Sequence, residues 1–197
     1  LRGFGAQTRL ALWRGGPEIG GRFFYTDDFS GFNFQHVVAT FGALLDELLA
    51  GASDALYLGS TEIDNAFPGL RHGNDLTALA GSHPLASIWL GNRTVVAPHF
   101  DLPDNIACVV AGRRRFTLFP PDQVGNLYIG PLDLTPAGQP ISLVDMRAPD
   151  LARFPRYAEA LAHAQVFELE LGDALFVPSQ WWHGVESLGA INGLVNF

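Results

Sequence analysis

From residue 86 onward the chain is a succession of short β-forming runs, each closed by a turn signal, and no other feature restricts the fold as much. Residues 86–90, 94–101, 105–111 and 115–119 form a first series, and 165–170, 174–177, 183–187 and 191–197 a second. The runs are rich in Val, Ile, Phe and Thr, and Gly, Asn, Pro and Asp separate them, as the turns between strands require. About eight short strands of this kind suit an antiparallel barrel or a double-sheet jelly roll. Between the two series lie a Gly- and Pro-bearing loop over 122–140 and a predicted helix over 154–164 with Pro155 in its first turn.

The N-terminal part reads differently. Residues 1–35 are rich in Gly and aromatics, including Phe23, Phe24, Tyr25, Phe29, Phe32 and Phe34, and suit short strands between turns. Apolar residues at helical spacing over 40–50 predict an amphipathic helix capped by Thr40 and ended near Gly51, with Leu44, Leu45, Leu48 and Leu49 on one side. A short strand at 56–60 follows, then loops over 64–84 with one helical turn at 75–80. A length of 197 residues fits one domain with a sizeable core. Within it, 1–85 supplies flanking strands and a helix, and 86–197 the jelly roll. Leu1 is not Met and Phe197 ends inside a strand-like run, so the polypeptide is expected to continue at both ends.

Charge narrows the classes of partner. The net charge is −8, and all 12 cations are arginine, since the sequence has no lysine. A sequence-independent nucleic-acid binder needs a basic face, so nucleic acid is disfavoured as a partner. Any anion bound by charge is bound by Arg or by a metal. The single cysteine, Cys108, allows no internal disulfide and fits a reducing, cytoplasmic setting. No segment approaches the length of a transmembrane helix, so no membrane partner is expected.

His99 and Asp101 stand two apart in one strand-like run, and side chains i and i+2 of a strand share a face. An imidazole and a carboxylate side by side are two ligands of the 2-His-1-carboxylate triad, which holds Fe(II) and leaves positions open for substrate and O2. His183 is the candidate third ligand, 82 residues beyond Asp101. Flanking Val95, Val96 and Phe100 imply a half-buried pair, and a buried carboxylate is costly unless paired or on a metal. A structural His–Asp hydrogen bond and a His183 packed between core tryptophans are the plainer alternatives. His36, His72, His83 and His163 lack such surroundings and read as surface or structural residues.

Two runs of sequence carry a family resemblance. The first is His99-x-Asp101-x3-Asn105, continued by Gly112-x-Arg114-Arg115-x2-Leu118-Phe119-Pro120-Pro121-Asp122-Gln123. The second is Val177-Pro178-x2-Trp181-Trp182-His183-x-Val185-Glu186-Ser187, ending in Val195-Asn196-Phe197. Together they resemble the Jumonji-C-type, cupin-like oxygenases that depend on Fe(II) and 2-oxoglutarate, nearest to the branch containing the asparaginyl hydroxylase that acts on hypoxia-inducible factor. The resemblance covers roughly residues 56–197 and implies a double-stranded β-helix of the jelly-roll or cupin type. It also implies that His99, Asp101 and His183 hold iron, and that Arg114 holds the distal carboxylate of 2-oxoglutarate where that branch has Lys. Tyr57 matches a tyrosine that contacts the same carboxylate, and Asn105 and Asn196 match two amides of the pocket. A hydroxyl residue of the family falls on Val96 here, and Thr94 is the candidate substitute. The alternative for Arg114 is a solvated hairpin tip, since Arg113-Arg114-Arg115 follows Gly112.

The activity so implied is hydroxylation of a C–H bond by O2, with 2-oxoglutarate leaving as succinate and CO2. The expected substrate is a protein or peptide side chain, and a homodimer is compatible with this reading. The rivals are a cupin-type metal enzyme that acts on a small molecule without 2-oxoglutarate and a non-catalytic binding module.

Overall fold

A computed structural model describes residues 1–79 and 81–197. It contains eleven strands: β1 (Arg9–Gly15), β2 (Gln35–Thr40), β3 (Ala55–Glu62), β4 (Ser87–Gly91), β5 (Val95–His99), β6 (Asn105–Ala111), β7 (Arg114–Phe119), β8 (Gln165–Leu169), β9 (Ala174–Val177), β10 (Trp182–Ser187) and β11 (Asn192–Asn196). The helices are short: α1 (Arg2–Gly5), α2 (Phe41–Leu49), α3 (Ile63–Ala66) and α4 (Tyr157–Ala162). The eight strand runs expected from residue 86 are β4 to β11.

The strands form two sheets in which all neighbouring strands are antiparallel. One has the order β2-β1-β3-β4-β11-β6-β9 and the other β5-β10-β7-β8. The four strands β4-β11-β6-β9 lie against the smaller sheet as a double-sheet jelly roll, and β1, β2 and β3 widen the larger sheet. Between the layers Ala107, Val109, Phe116, Leu169, Val185 and Leu194 form a buried core, with Trp89 and Val96 packed against it.

The widened sheet is apolar on both faces, so its strands read as nearly continuous hydrophobic runs. Along β1, β3 and β4, Leu10, Leu12, Leu56, Leu58, Ile88 and Leu90 turn outward into a second core shared with Phe41, Leu44 and Leu48 of α2. The alternate residues Trp13, Tyr57 and Trp89 turn the other way, toward the site. Burying Leu44 and Leu48 contributes on the order of 1.5–3 kcal/mol each. Thr40 caps α2, its hydroxyl accepting from Ala43 N–H at 3.2 Å, and Gly51 follows the helix at φ +77°.

Several expectations shift. Leu49 is 69% exposed, so the apolar face of α2 is narrower than the spacing implied. Pro155 precedes α4 rather than sitting in its first turn, because the helix is only Tyr157–Ala162. Residues 77–79 make a single 3-10 turn, and Ala80 lies outside the described residues. Of the aromatics of 23–34, Phe23, Tyr25 and Phe34 are buried, packing in a cluster with Phe32 and Trp13. Among the described residues no helix is long and apolar enough to cross a membrane.

Candidate active site

His99 and His183 are direct cross-strand partners in the β5·β10 pair, and their ring centroids lie 4.4 Å apart. Opposed positions on an antiparallel pair bring side chains this close without further help. The register shifts between His183 and Val185, the irregularity that rims of such barrels use to aim a side chain. Gly184 leaves room there, since a Cβ would run into Met146 and Pro98. Asp101 lies two residues beyond the end of β5, so it reaches the side of His99 from the loop and not by ladder pairing. Its Oδ2 is 3.5 Å from His183 Nε2. One ligand atom from each of the three residues lies within 4.8 Å of the others.

Backbone carbonyls settle the protons of both imidazoles. His99 Nδ1 is 3.0 Å from Ala97 O, and His183 Nδ1 is 3.0 Å from Trp181 O. A carbonyl oxygen only accepts, so each Nδ1 carries a hydrogen, and in the neutral ring Nε2 presents a lone pair. Burial, aided by the neighbouring His183, pushes the pKa of His99 down to about 4 against the pull of Asp101, so His99 is neutral at pH 7. Contact with His183 holds the Asp101 carboxyl below the usual carboxylate range, with burial opposing and His99 assisting. With both rings neutral, two lone pairs and an anionic oxygen converge, and a divalent cation satisfies all three.

Deeper in the same pocket is Arg114, at the start of β7 opposite Ser187 of β10 and Leu169 of β8. It is 2% exposed. Its Nε and Nη2 have no hydrogen-bond partner, and no carboxylate pairs with it among the described residues. Burial lowers its pKa, and nearby Tyr57 opposes that. The hairpin-tip alternative thus fails for Arg114 and for Arg115, which is laddered on both sides within β7, and holds only for Arg113. Arg113 is exposed, and Arg115 points to the outer face, pairing with Glu168 at 2.6 Å and Glu186 at 3.4 Å.

Tyr57 of β3 is buried, and burial pushes its pKa up to about 12, so it enters the pocket as a neutral phenol. Gly91 gives it space, because a Cβ there would lie 2.5 Å from Leu56 O and 3.3 Å from the Tyr57 ring. Asn105 opens β6 with a buried, unpartnered Oδ1. Asn196 closes β11, and its Oδ1 accepts from Trp89 Nε1–H at 2.8 Å, which leaves its amide hydrogens free to donate. Tyr57, His99, Asp101, Asn105, Arg114, His183 and Asn196 all line one narrow pocket.

Thr94 does not join them. Its side chain is buried beside the pocket and its hydroxyl donates to Ser187 Oγ at 3.1 Å, while Val96 occupies the wall. The position precedes β5, and its side chain turns to Ser187. Sequence reasoning missed Trp89, which orients Asn196. The signal was its place between Ile88 and Leu90, which forces it to the opposite face. The four remaining histidines, His36, His72, His83 and His163, are exposed.

A family model described as "Cupin-like domain" matches residues 1–197, the whole chain. The chain belongs to the cupin-like domain family. Among the relatives is human HSPB1-associated protein 1, 35% identical over 135 residues, which are 68% of this chain and 25% of that protein. Lysine-specific demethylase JMJ31 of Arabidopsis thaliana is 36% identical over 89 residues, 45% of this chain and 16% of its own. The tRNA wybutosine-synthesizing protein 5 of Gallus gallus is also 36% identical over 89 residues, 45% of this chain and 25% of its own. The cupin-like chain thus spans about a quarter or less of these relatives' lengths.

Proposed function

We propose that the chain is an Fe(II)- and 2-oxoglutarate-dependent oxygenase that hydroxylates a C–H bond. One observation carries the reading: a cation site and an anion site share a pocket. His99, Asp101 and His183 would hold iron through two neutral imidazoles and one carboxylate. Arg114, with two buried and unpartnered guanidinium nitrogens, would hold a carboxylate, and its planar fork suits that group. Tyr57 and Asn196 would donate hydrogen bonds to the same anion. When bound, iron supplies activation of O2, with 2-oxoglutarate as the reductant that leaves as succinate and CO2. The protein orients the dicarboxylate, keeps three ligands ready and walls the reacting centre with Trp89, Val96, Phe116 and Val185. Thr94 has no part in this reading.

We take the substrate to be a protein or peptide side chain. An outer cleft of about 780 Å³ leads to His99 and Asp101 and is lined by Trp13, Phe23, Trp89, Leu85 and Phe197. None of the 12 arginines lines it, and Asp104 adds negative charge. A phosphate backbone would meet no cation there, which supports a peptide over a nucleic acid. The motif likeness to the asparaginyl-hydroxylase branch agrees with that choice, and a cytoplasmic setting belongs to the same proposal. Succinate release from 2-oxoglutarate, with Fe(II) and ascorbate added, is the test. No release under those conditions, from a protein that binds both Fe(II) and 2-oxoglutarate, would leave a cupin-like binding module.

A further inference from the structure

We infer that a clamp made by Asp104, Ser179 and Gln180 positions the Asp101 carboxylate and so sets the metal affinity of the site. The inference rests on the triad being a metal centre. Asp101 needs such a device because the ladder stops at His99 and the last core contact before it is that of Phe100 with Trp182. β5 ends at His99, and Leu102, Pro103 and Asp104 are exposed, Leu102 by 65%. Nothing apolar packs the loop down.

Three hydrogen bonds do so instead, all from the segment that leads into β10. Gln180 N–H donates to Asp101 O at 2.9 Å. Ser179 Oγ donates to Leu102 O at 2.5 Å, and Ser179 N–H donates to Asp104 Oδ1 at 2.8 Å. Gln180 adopts a left-handed backbone at φ +64°, a conformation a glutamine holds only where its surroundings impose it. Three residues later the same segment delivers His183. The two metal-ligand segments, far apart in sequence, are thus tied to each other, and the 3.5 Å spacing of Asp101 Oδ2 from His183 Nε2 is fixed by that tie. Asp104 faces the clamp and contributes no ligand atom to the metal cluster.

Co(II) titration of the folded, metal-free protein, followed by visible absorption, tests this, with thermal melts run in parallel. Asp104→Ala should weaken Co(II) binding measurably, by less than the roughly 10- to 100-fold seen when a direct partner of a ligand is removed, because Asp104 reaches Asp101 only through Ser179. Asp104→Asn keeps an Oδ1 acceptor for Ser179 N–H and should bind nearly as well as wild type. Ser179→Ala removes the bond to Leu102 O and should give a smaller loss. Asp173→Ala is the control. It breaks a comparable bond, Glu170 N–H to Asp173 Oδ2 at 2.8 Å, in a different turn, and should leave affinity unchanged. Wild-type affinity in Asp104→Ala would overturn the clamp. Equal losses in Asp104→Ala and Asp104→Asn would reduce it to charge attraction, and an equal loss in Asp173→Ala would reduce it to general destabilisation. Wild-type protein that binds no Co(II) would sink the metal-centre reading itself, a failure seen before any variant is made.

Discussion

On the proposed reading Arg114 is a buried cation that binds an anion, and Arg114→Met separates the two halves of that statement. The guanidinium is 2% exposed, and two of its nitrogens are unpartnered. Holding an ion in such a place costs several kcal/mol even after relaxation. Methionine has a similar reach and no charge, so in ligand-free protein the substitution should stabilise the fold, by about 2 kcal/mol if roughly half that penalty is recovered. For a chain of this size that is a rise of about 4–8 °C in Tm. Adding 2-oxoglutarate at about 100 times its Kd stabilises the wild type by roughly 2.7 kcal/mol, or about 5–11 °C, and should do nothing for Arg114→Met. The order of the two melting curves should therefore narrow or invert when the ligand is added. Differential scanning calorimetry with Fe(II)-loaded protein, with and without 2-oxoglutarate, reads both effects. A ligand-induced shift in Arg114→Met equal to that of the wild type would refute the anion site. A ligand-free variant that melts several degrees lower would refute the claim that the cation is uncompensated.

The remaining expectations concern the rest of the pocket. His99→Ala and His183→Ala should each abolish stoichiometric Fe(II) binding, whereas full occupancy by metal analysis would exclude the triad. Tyr57→Phe should raise the 2-oxoglutarate KM about fivefold through loss of one neutral hydrogen bond, and an unchanged KM would leave Tyr57 a packing residue. Thr94→Val should leave 2-oxoglutarate affinity alone and lower stability by about 1–3 kcal/mol, because Ser187 Oγ loses its buried donor; denaturant melts and a ligand titration together check it. The pKa of His99 falls from 6.5 unfolded to about 4 folded, so below pH 6.5 the unfolded chain takes up a proton that the folded chain refuses. Stability of the metal-free protein should be full above pH 6.5 and decline toward pH 4 by about 3 kcal/mol. A flat profile across that window, or one that His99→Gln leaves unchanged, would contradict the burial of a neutral imidazole.

The strands from residue 86 were legible because each run is short, apolar and closed by Gly, Asn, Pro or Asp. The helix at Phe41–Leu49 was legible because Thr40 and Gly51 punctuate it. β2 was not, since Gln35 and His36 dilute its apolar content and it is specified by pairing with β1. The clustering of His99, Asp101 and His183 followed from spacing and strand type, though Asp101 reaches the cluster through a loop. Arg114 was ambiguous for a physical reason. Three consecutive arginines carry no local sign of which one turns inward, and only the pairing of Arg114 with Ser187 and Leu169 decides it. Thr94 was misread because a choice between neighbouring positions depends on where β5 begins, and strand ends are the part that local sequence defines least. Trp89 escaped notice because its role is relayed through Asn196.

The carbonyls of Ala97 and Trp181 have a consequence for how this pocket can change. Each imidazole takes its orientation from the peptide carbonyl two residues earlier in the chain. Many metal-binding histidines rely on a separate side chain for this, and lose their poise when that side chain is exchanged. Here the instruction is written into the main chain, which every substitution inherits. Exposed residues of the cleft such as Leu85 can be replaced without disturbing which nitrogen bonds the backbone. On the proposed reading the ring orientations are anchored in the backbone, and the exposed rim of the cleft is open to redesign by side chains alone.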